Sequence, residues 1–404
     1  MTTRATNLAL GLVLGLAAAN SFAAARPQNA TLDFLEARVT SDPLDAVAQN
    51  RLSAVCIQQM RDTGDLAFLE RALQSARASL AAVPAAQNPG GLAALALAEF
   101  ESHHFREALK LAEQAYATDP RNTPALATTG DAQLELGNYP YAEKIYRQLE
   151  AEESTPSLQA RLARLAELKG ENAQAIALLA TVAGTPGDSA WYRVRLGELN
   201  FRTGHFTEAE THYEAARQLQ PESFFVLEHL AELRAAQGKF DEAIALYQRV
   251  VVSAPRGEFF QALGDLYVFM GKPAEAKPWH DRALAAYLKS VGQGNAHYYH
   301  HLSGFYADAQ ENPAEALRWA RKDLEMRHSV YAYDTLAWAL YKNGEFTAAA
   351  EAMTRARALG TQDAHLLFHA GMIFSRAGEI ARGGALLKQS LTVNPHYNSF
   401  HVHR

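Results

Sequence analysis

Histidines in the C-terminal third of the chain have a spacing that suits metal binding. His297 and His301 are four residues apart, and His365 and His369 repeat this spacing. On a helix, residues four apart lie on the same face, one turn from each other. With a carboxylate from Asp334, such pairs offer the nitrogen and oxygen donors that zinc, nickel and copper accept. The candidate metal site comprises His297, His300, His301, Asp334, His365 and His369.

A second interpretation of the same histidines needs no metal. The unperturbed pKa of histidine is about 6.5, so a surface rich in histidine becomes more positive as the pH falls below that value. Both interpretations stay open on sequence grounds. Apart from a transition metal, we expect no cofactor.

Catalytic motifs are absent from the sequence. It contains no G-x-S-x-G nucleophile elbow, no H-E-x-x-H zinc-binding pair and no phosphate-binding P-loop. Repeated helical units fill the chain from about residue 43 onward, which leaves no room for a separate catalytic domain. We therefore expect a protein that is not an enzyme.

The composition excludes several other classes of function. The 404 residues include 38 Lys and Arg against 44 Asp and Glu, which gives a formal net charge of -6. Without a basic surface, nucleic acid is not expected as a partner. Cys56 is the single cysteine, so the sequence excludes an internal disulfide and any multi-cysteine metal site.

The first 25 residues have the pattern of a secretory signal peptide. Arg4 precedes an apolar run over residues 8–19, and three alanines end at Ala25. A membrane anchor, the alternative, needs about 20 apolar residues, whereas Asn20 ends this run after twelve. We expect cleavage after Ala25 or Ala23, a secreted or periplasmic mature protein, and no integral membrane segment after cleavage.

A small residue recurs at a nearly constant interval along most of the chain. A second small residue precedes each of them by twelve or thirteen positions. Two small residues per period suit two antiparallel helices that cross at short distance. The first series is Ala108, Ala142, Ala175, Ala209, Ala243, Ala276, Ala316, Ala349 and Gly383.

Glycines and prolines divide each period into two helices. A glycine lies between the two helices, where the left-handed conformation that ends a helix costs glycine no steric strain. Prolines such as Pro221 and Pro255 follow the second helix and stop it. The turn glycines are Gly137, Gly170, Gly204, Gly238, Gly271, Gly344 and Gly378.

This pattern resembles the tetratricopeptide repeat, a helix-turn-helix unit of about 34 residues. Residues 238–247 are close to its consensus, and the resemblance covers residues 89–397 in nine units. Residues 26–88 are expected to hold a capping helix and a degenerate helix pair, and residues 398–404 a tail. The resemblance implies an all-α fold, a right-handed α-solenoid of about nine regular units plus one degenerate N-terminal unit.

The resemblance also implies that the first helices of the units line a concave groove. Aromatic residues and arginine dominate binding hot spots; at the groove positions arginine occurs from the third unit and aromatic residues take over from the fourth. An alternative for Phe201 and Trp338 is packing between neighbouring helices. The candidate partner-binding residues are Arg161, Trp191, Arg195, Phe225, His229, Tyr331, Trp338 and Tyr341.

These observations favour an adaptor over the other classes. We expect a non-enzymatic scaffold outside the cytoplasm that binds a peptide or a helix of a partner protein in this groove. The alternative function is a metal-binding accessory protein that uses the histidine cluster. The sequence does not identify the partner.

Overall fold

The computed structural model describes residues 29–185 and 188–396, and all regular elements in these ranges are helical. The fold is therefore the all-α repeat solenoid that the sequence predicts. The expected signal peptide and the tail over residues 398–404 lie outside the described residues. None of the described helices is both long and apolar enough to cross a membrane.

Within residues 29–185 and 188–396, three N-terminal helices precede nine helix pairs. The N-terminal helices, in the range expected to hold a cap and a degenerate pair, are α1 (Ala30–Ser41), α2 (Ala46–Thr63) and α3 (Ala67–Ala82). The first helices of the pairs are α4 (Pro89–Glu101), α6 (Thr123–Glu135), α8 (Pro156–Leu168), α10 (Ala190–Arg202), α12 (Phe224–Ala236), α14 (Gly257–Phe269), α16 (Tyr299–Gly304), α18 (Val330–Lys342) and α20 (Ala364–Arg376). The second helices are α5 (Phe105–Thr118), α7 (Tyr139–Glu152), α9 (Asn172–Ala180), α11 (Phe206–Leu219), α13 (Phe240–Ser253), α15 (Pro273–Gly292), α17 (Pro313–Met326), α19 (Phe346–Ala356) and α21 (Ile380–Val393).

Among the first helices of the nine pairs, α16 departs from regular α-helical geometry. A 3₁₀ turn over Ala296–Tyr298 precedes it, and a π-helical turn over Phe305–Ala309 continues it. Turns of this π type inside helices often occur at functional sites. Here the turn carries Asp308 towards the neighbouring helix α18, where its carboxylate accepts a hydrogen bond from the indole of Trp338.

Small residues let the two helices of a unit approach closely. A side chain at Gly130 would place its Cβ 2.6 Å from the ring of Tyr146, and one at Gly197 would place it 2.5 Å from the ring of Tyr213. Both tyrosines are fully buried. The small first-helix residue therefore makes room for a large side chain of the second helix, which explains the period of small residues.

The superhelix turns tightly enough for its successive turns to stack on each other. The Thr361 hydroxyl donates to the Leu168 carbonyl at 2.5 Å, and the Asn394 amide donates to the Phe201 carbonyl at 3.1 Å. The two residues of each hydrogen bond are 193 positions apart in the sequence, which is roughly five and a half repeat units. The turn inside a unit thus contacts the loop between two later units.

Glycine is required at two of these stacked turns for two reasons. Gly137 has a φ of 82° and Gly170 a φ of 77°, a region that other residues rarely adopt. A Cβ atom on Gly137 would also lie 2.7 Å from the His328 carbonyl oxygen, and one on Gly170 2.5 Å from the Gly360 carbonyl oxygen. In the stack, the backbone of each of these two turns therefore lies directly against the backbone of a later loop.

One hydrophobic core runs through both superhelical turns. It includes Leu126 and Leu168 of early units together with Leu302 and Leu366 of late ones. Burying apolar surface stabilises the fold by about 25 cal/mol per Å². Apolar burial between the stacked turns therefore stabilises the superhelix in addition to their hydrogen bonds.

Candidate functional site

A cavity of about 450 Å³ lies between the stacked superhelical turns. The C-terminal ends of α8, α10 and α12 form one wall, and the N-terminal ends of α18 and α20 form the opposite wall. Charged and polar side chains dominate its lining. They include Arg164, Glu198, Arg202, Glu232, His300, Arg327, Tyr331, Asp334, Asp363 and His365.

Glu167 is the centre of a buried network of ion pairs beside this cavity. Its carboxylate accepts from Arg164 at 2.7 Å and from Arg202 at 3.0 Å. Burial disfavours the charged form of Glu167, but Arg164, Arg202 and Arg195 outweigh it and hold the pKa of this carboxyl below its usual value. Arg202 also bonds Glu198 at 2.8 Å. The arginines of this wall are thus neutralised within the protein.

Tyr331 connects the network to the next superhelical turn. Its hydroxyl accepts from Arg202 at 3.4 Å, and the guanidinium of Arg164 lies 5.1 Å from the centre of its ring. Burial, then Asp363 and Glu167, raise the pKa of the Tyr331 hydroxyl, which therefore stays protonated at neutral pH.

Glu232 differs from the other carboxylates of the cavity. Burial, together with the negative charges of Glu228 and Glu198, raises its pKa to about 7. Across residues 29–185 and 188–396, no hydrogen bond or ion pair is found for its carboxylate. A carboxyl group that titrates near neutral pH in a cavity is a candidate for ligand recognition.

His229 lies on the same helix and carries a charge. Its Nδ1 donates to the Phe225 carbonyl at 2.8 Å and lies 2.9 Å from the Glu228 carboxylate. Burial lowers the pKa of His229, but Glu228 and Glu198 outweigh it and hold the pKa well above its usual value. His229 is therefore an internal counter-charge, and only a small part of its surface is exposed.

The other predicted partner-binding residues are dispersed. Trp191 is 44% exposed and Arg161 bonds Asp131 at 2.8 Å; neither lines the cavity. Arg195 bonds Glu198 near the cavity. Phe225 is half-buried, with its ring centre 4.8 Å from that of His229.

Trp338 and Tyr341 stack on each other with ring centres 4.9 Å apart. Trp338 is only 5% exposed, in agreement with the packing alternative. The structure therefore brings Arg195, His229 and Tyr331 close to the cavity, and it uses Trp338 mainly in packing.

Sequence reasoning assigned no role to several of the charged residues that line the cavity. Arg164, Glu198 and Glu232 occupy the same position in three successive units. A charged residue at a constant position of successive repeats is the sequence signal that could have identified these three residues. Arg202 and Asp363 gave no comparable signal, because they come together only through the stacking of the superhelix.

The six predicted metal ligands separate into two groups. His297, His300 and His301 lie with His103, whose Nε2 is 3.2 Å from Nδ1 of His297. Burial and the cation Arg256 lower the pKa values of His297 and His301 to about 3. These imidazoles are therefore neutral at physiological pH. His103 was not among the predicted ligands.

Asp334, His365 and His369 form the second group. One ligand atom from each residue lies within 4.8 Å of the others, and among the described residues this is the one such group of three or more. Nδ1 of His369 is 2.9 Å from the Asp334 carboxylate. Asp334 and His365 also line the cavity.

Family models of the tetratricopeptide repeat match residues 99–165, 194–258 and 335–396. The chain contains tetratricopeptide repeats. The second match contributes Glu198 and Glu232 to the cavity, and the third contributes His365. Such repeats imply a protein-protein interaction scaffold.

Solved structures with similar helical repeats are distant. A human IFIT1 dimer with m7Gppp-AAAA is 13% identical, with 90% of this chain and 95% of that chain covered and a TM-score of 0.49. A human IFIT1 dimer with PPP-AAAA is 15% identical, covers 90% and 94%, and has a TM-score of 0.47. The APC/C hetero-tetramer Cut9-Hcn1 is 12% identical, covers 91% and 90%, and has a TM-score of 0.39. No curated protein matches the chain, and these structures are too distant to indicate a function.

Proposed function

We propose that this protein is a non-enzymatic scaffold that works outside the cytoplasm and binds a short segment of a partner protein. The segment occupies the cavity between α8, α10 and α12 on one side and α18 and α20 on the other. Tetratricopeptide repeats support the scaffold role, and the signal-like pattern of residues 1–25 supports the location.

The size of the cavity carries the proposal. Ligand pockets usually enclose about 300 to 1,000 Å³, and this one encloses about 450 Å³. An α-helix is about 10 Å wide and rises 5.4 Å per turn, so roughly one turn would fill it. A few residues in extended conformation fit better, which favours a short peptide over a helix.

The charges of the lining indicate which side chain the segment carries. Arg164 and Arg202 already bond Glu167, whereas Glu232 has no ion-pair partner among the described residues. A lysine or arginine of the partner would supply the missing positive charge. Binding would also favour the ionised form of Glu232, so affinity should increase as the pH rises through 7.

Selection from a library of short random peptides tests this proposal. Residues 26–404 serve as the bait, and fluorescence anisotropy gives the affinity of the selected peptides. We expect Lys or Arg in these peptides, at least tenfold weaker binding to Glu232→Gln, and unchanged binding to Glu275→Gln, whose carboxylate is exposed on α15. Selected peptides without a basic residue, or equal affinity for both variants, would contradict the proposal.

The location needs a separate experiment. The protein is recovered from fractionated cells of its source, and N-terminal sequencing gives its first residue. We expect the envelope or secreted fraction and a chain that begins at Arg26. A cytoplasmic protein that retains residues 1–25 would contradict this part of the proposal and leave the cavity assignment unaffected.

A further inference from the structure

We propose that Asp334, His365 and His369 form a binding site for a divalent transition metal ion, with Zn²⁺ as the reference ion. This site would add a metal-dependent function to the peptide-binding scaffold. It is made by two neighbouring first helices, α18 and α20. Two imidazoles and one carboxylate are a donor set that zinc accepts.

The distances fit a metal after small movements. Zinc lies about 2.0 to 2.2 Å from nitrogen and oxygen ligands, so tetrahedral ligand atoms are about 3.3 Å apart. Nδ1 of His369 is 2.9 Å from the Asp334 carboxylate, and all three candidate ligand atoms lie within 4.8 Å of one another. His365 lies one helical turn from His369, with the two ring centres 4.1 Å apart, so the site requires the ligand atoms to move by about 1 to 2 Å.

Neighbouring side chains already fix the orientation of His369. The indole of Trp338 stacks on its ring at 4.0 Å, with the two planes 11° apart. The Trp338 nitrogen in turn donates to Asp308 at 3.1 Å. Such outer contacts hold metal-binding histidines in place, and they make this cluster more rigid than a pair of surface histidines.

Three protein ligands leave a fourth coordination position. Asp334 and His365 line the cavity, so this position is accessible to a ligand from there. Zinc sites with three protein ligands normally bind water or an exchangeable ligand in the fourth position. A carboxylate or imidazole of a peptide in the cavity would be able to coordinate the metal ion in place of that water.

The other histidine group is less suited to a cation. His297 lies 3.2 Å from the guanidinium of Arg256, and Arg256 and Arg327 both lower the pKa of His301. Positive charges that oppose protonation of an imidazole also oppose the binding of a divalent ion next to it. The i, i+4 spacing is shared by both groups, but among the described residues only the second group has a carboxylate oxygen within 4.8 Å of two imidazole nitrogens.

A direct hydrogen bond between Asp334 and His369 is the alternative, since their contact needs no metal. Isothermal titration of chelator-treated residues 26–404 with ZnCl₂ separates the two cases. We expect one site with a dissociation constant of about 1 μM or lower. We also expect at least tenfold weaker binding for His369→Gln, His365→Gln and Asp334→Asn.

Two histidine variants provide matched controls. His205→Gln changes an exposed histidine, and His301→Gln changes a half-buried one in the other group; both should bind Zn²⁺ as the wild type does. Titration with Co²⁺ gives an independent readout, because ligand-field bands in the visible spectrum report coordination directly. The bands should be lost in His365→Gln and His369→Gln and kept in both controls.

A measurement on the wild type alone covers the case in which the variants fail to fold. Diethylpyrocarbonate modifies histidines, and mass spectrometry locates the modified residues with and without Zn²⁺. Protection of His365 or His369, with His205 unchanged, supports the site. No binding tighter than micromolar overturns it, as does zinc binding that survives loss of both His365 and His369 but disappears when His401 and His403 are replaced.

Discussion

The same turn glycine has different surroundings in the two halves of the molecule. In the N-terminal half, Cβ atoms on Gly137 and Gly170 would collide with a backbone oxygen of the stacked turn. In the C-terminal half, a Cβ on Gly238 or Gly344 would meet nothing within 4 Å. All four glycines have φ between 74° and 82°. The left-handed conformation is therefore common to all four turn glycines, whereas the close contact with a stacked turn is found only at the two N-terminal ones.

This difference shows that a position in a repeat does not determine its role. Sequence periodicity specifies the helix pair, whereas the pitch of the superhelix decides which turns are covered. The covered half also contributes the ion pairs of the cavity, because Arg202 reaches Tyr331 and Asp363 of the following superhelical turn. Four predictions test how far the two halves differ.

The largest effect is expected from the buried network. Glu167→Gln leaves Arg164 without its carboxylate partner, whereas Arg202 keeps Glu198 and Asp363. Breaking a buried pair costs up to about 3 to 5 kcal/mol. Glu222→Gln, which removes the exposed partner of Arg249, should cost under about 1 kcal/mol. Urea unfolding of both variants measures the difference. Equal losses of stability would show that the interior network is not stronger than a surface pair.

Alanine at a covered and at an uncovered turn gives the next effect. Gly344→Ala should cost about 1 to 2 kcal/mol for the left-handed conformation alone. Gly170→Ala carries the same strain and adds the collision with the Gly360 carbonyl, so it should be clearly less stable than Gly344→Ala. Thermal and urea unfolding of the two proteins give the values. If the two variants are equally stable, the stacked contact does not stabilise the fold.

Glu232→Gln should change the pH dependence of stability. Burial and the nearby carboxylates raise the pKa of Glu232 in the folded state from its ordinary value of 4.5 to about 7. The folded state therefore retains a proton that the unfolded state releases, and this stabilisation is complete below pH 4.5 and lost as the pH rises through 7. Gln stays neutral, so the variant should be more stable than the wild type by about 1 to 3 kcal/mol at pH 8 and similar at pH 4.5.

Urea titrations at pH 4.5, 6 and 8 measure this effect. The groups that act on Glu232 are Glu228 and His229 on its own helix, together with Glu198 and Arg202 on α10. Glu275→Gln on the exposed face of α15 is the control and should show no such pH dependence. A constant difference between the Glu232 variant and the wild type at all three pH values would be the contrary outcome.

The smallest effect concerns a single hydrogen bond of the stack. Thr361→Val removes the bond to the Leu168 carbonyl, which is buried, and should cost about 1 kcal/mol. Thr354→Val removes a bond to the Ala350 carbonyl within an exposed helix and should have little effect. Hydrogen exchange at the α8 to α9 turn should accelerate in the first variant only; exchange that is unchanged in both would argue against this contact.

Much of the fold can be predicted from the sequence because its signals are local. Alanines such as Ala108 and Ala142 are fully buried at the helix crossings, and the turn glycines adopt the expected left-handed conformation. Both features depend on neighbours within one unit. The tetratricopeptide pattern records such contacts, so the repeat period alone is sufficient evidence for the helix pairs.

The candidate site is only partly predictable, since it depends on contacts between units that are far apart in the sequence. Three of the six predicted metal ligands, Asp334, His365 and His369, lie together in the structure, because helical spacing and the repeat period bring them onto neighbouring helices. The approach of Tyr331 to Arg164 depends on superhelical pitch, a sum of small rotations between units that no single motif specifies. The same reason explains why His103 beside His297 was not predicted.

The stacking of successive superhelical turns also has a consequence for folding. An ordinary repeat array is nearly one-dimensional, and its stability is close to a sum of nearest-neighbour contributions. Here Asn172 bonds the Gln362 carbonyl 190 residues later, so late repeats also stabilise early ones. Such contacts raise the contact order, which slows folding. Deleting α20 and α21 should therefore destabilise α8 and α10 as well, and the closed part of the array should unfold as one cooperative unit.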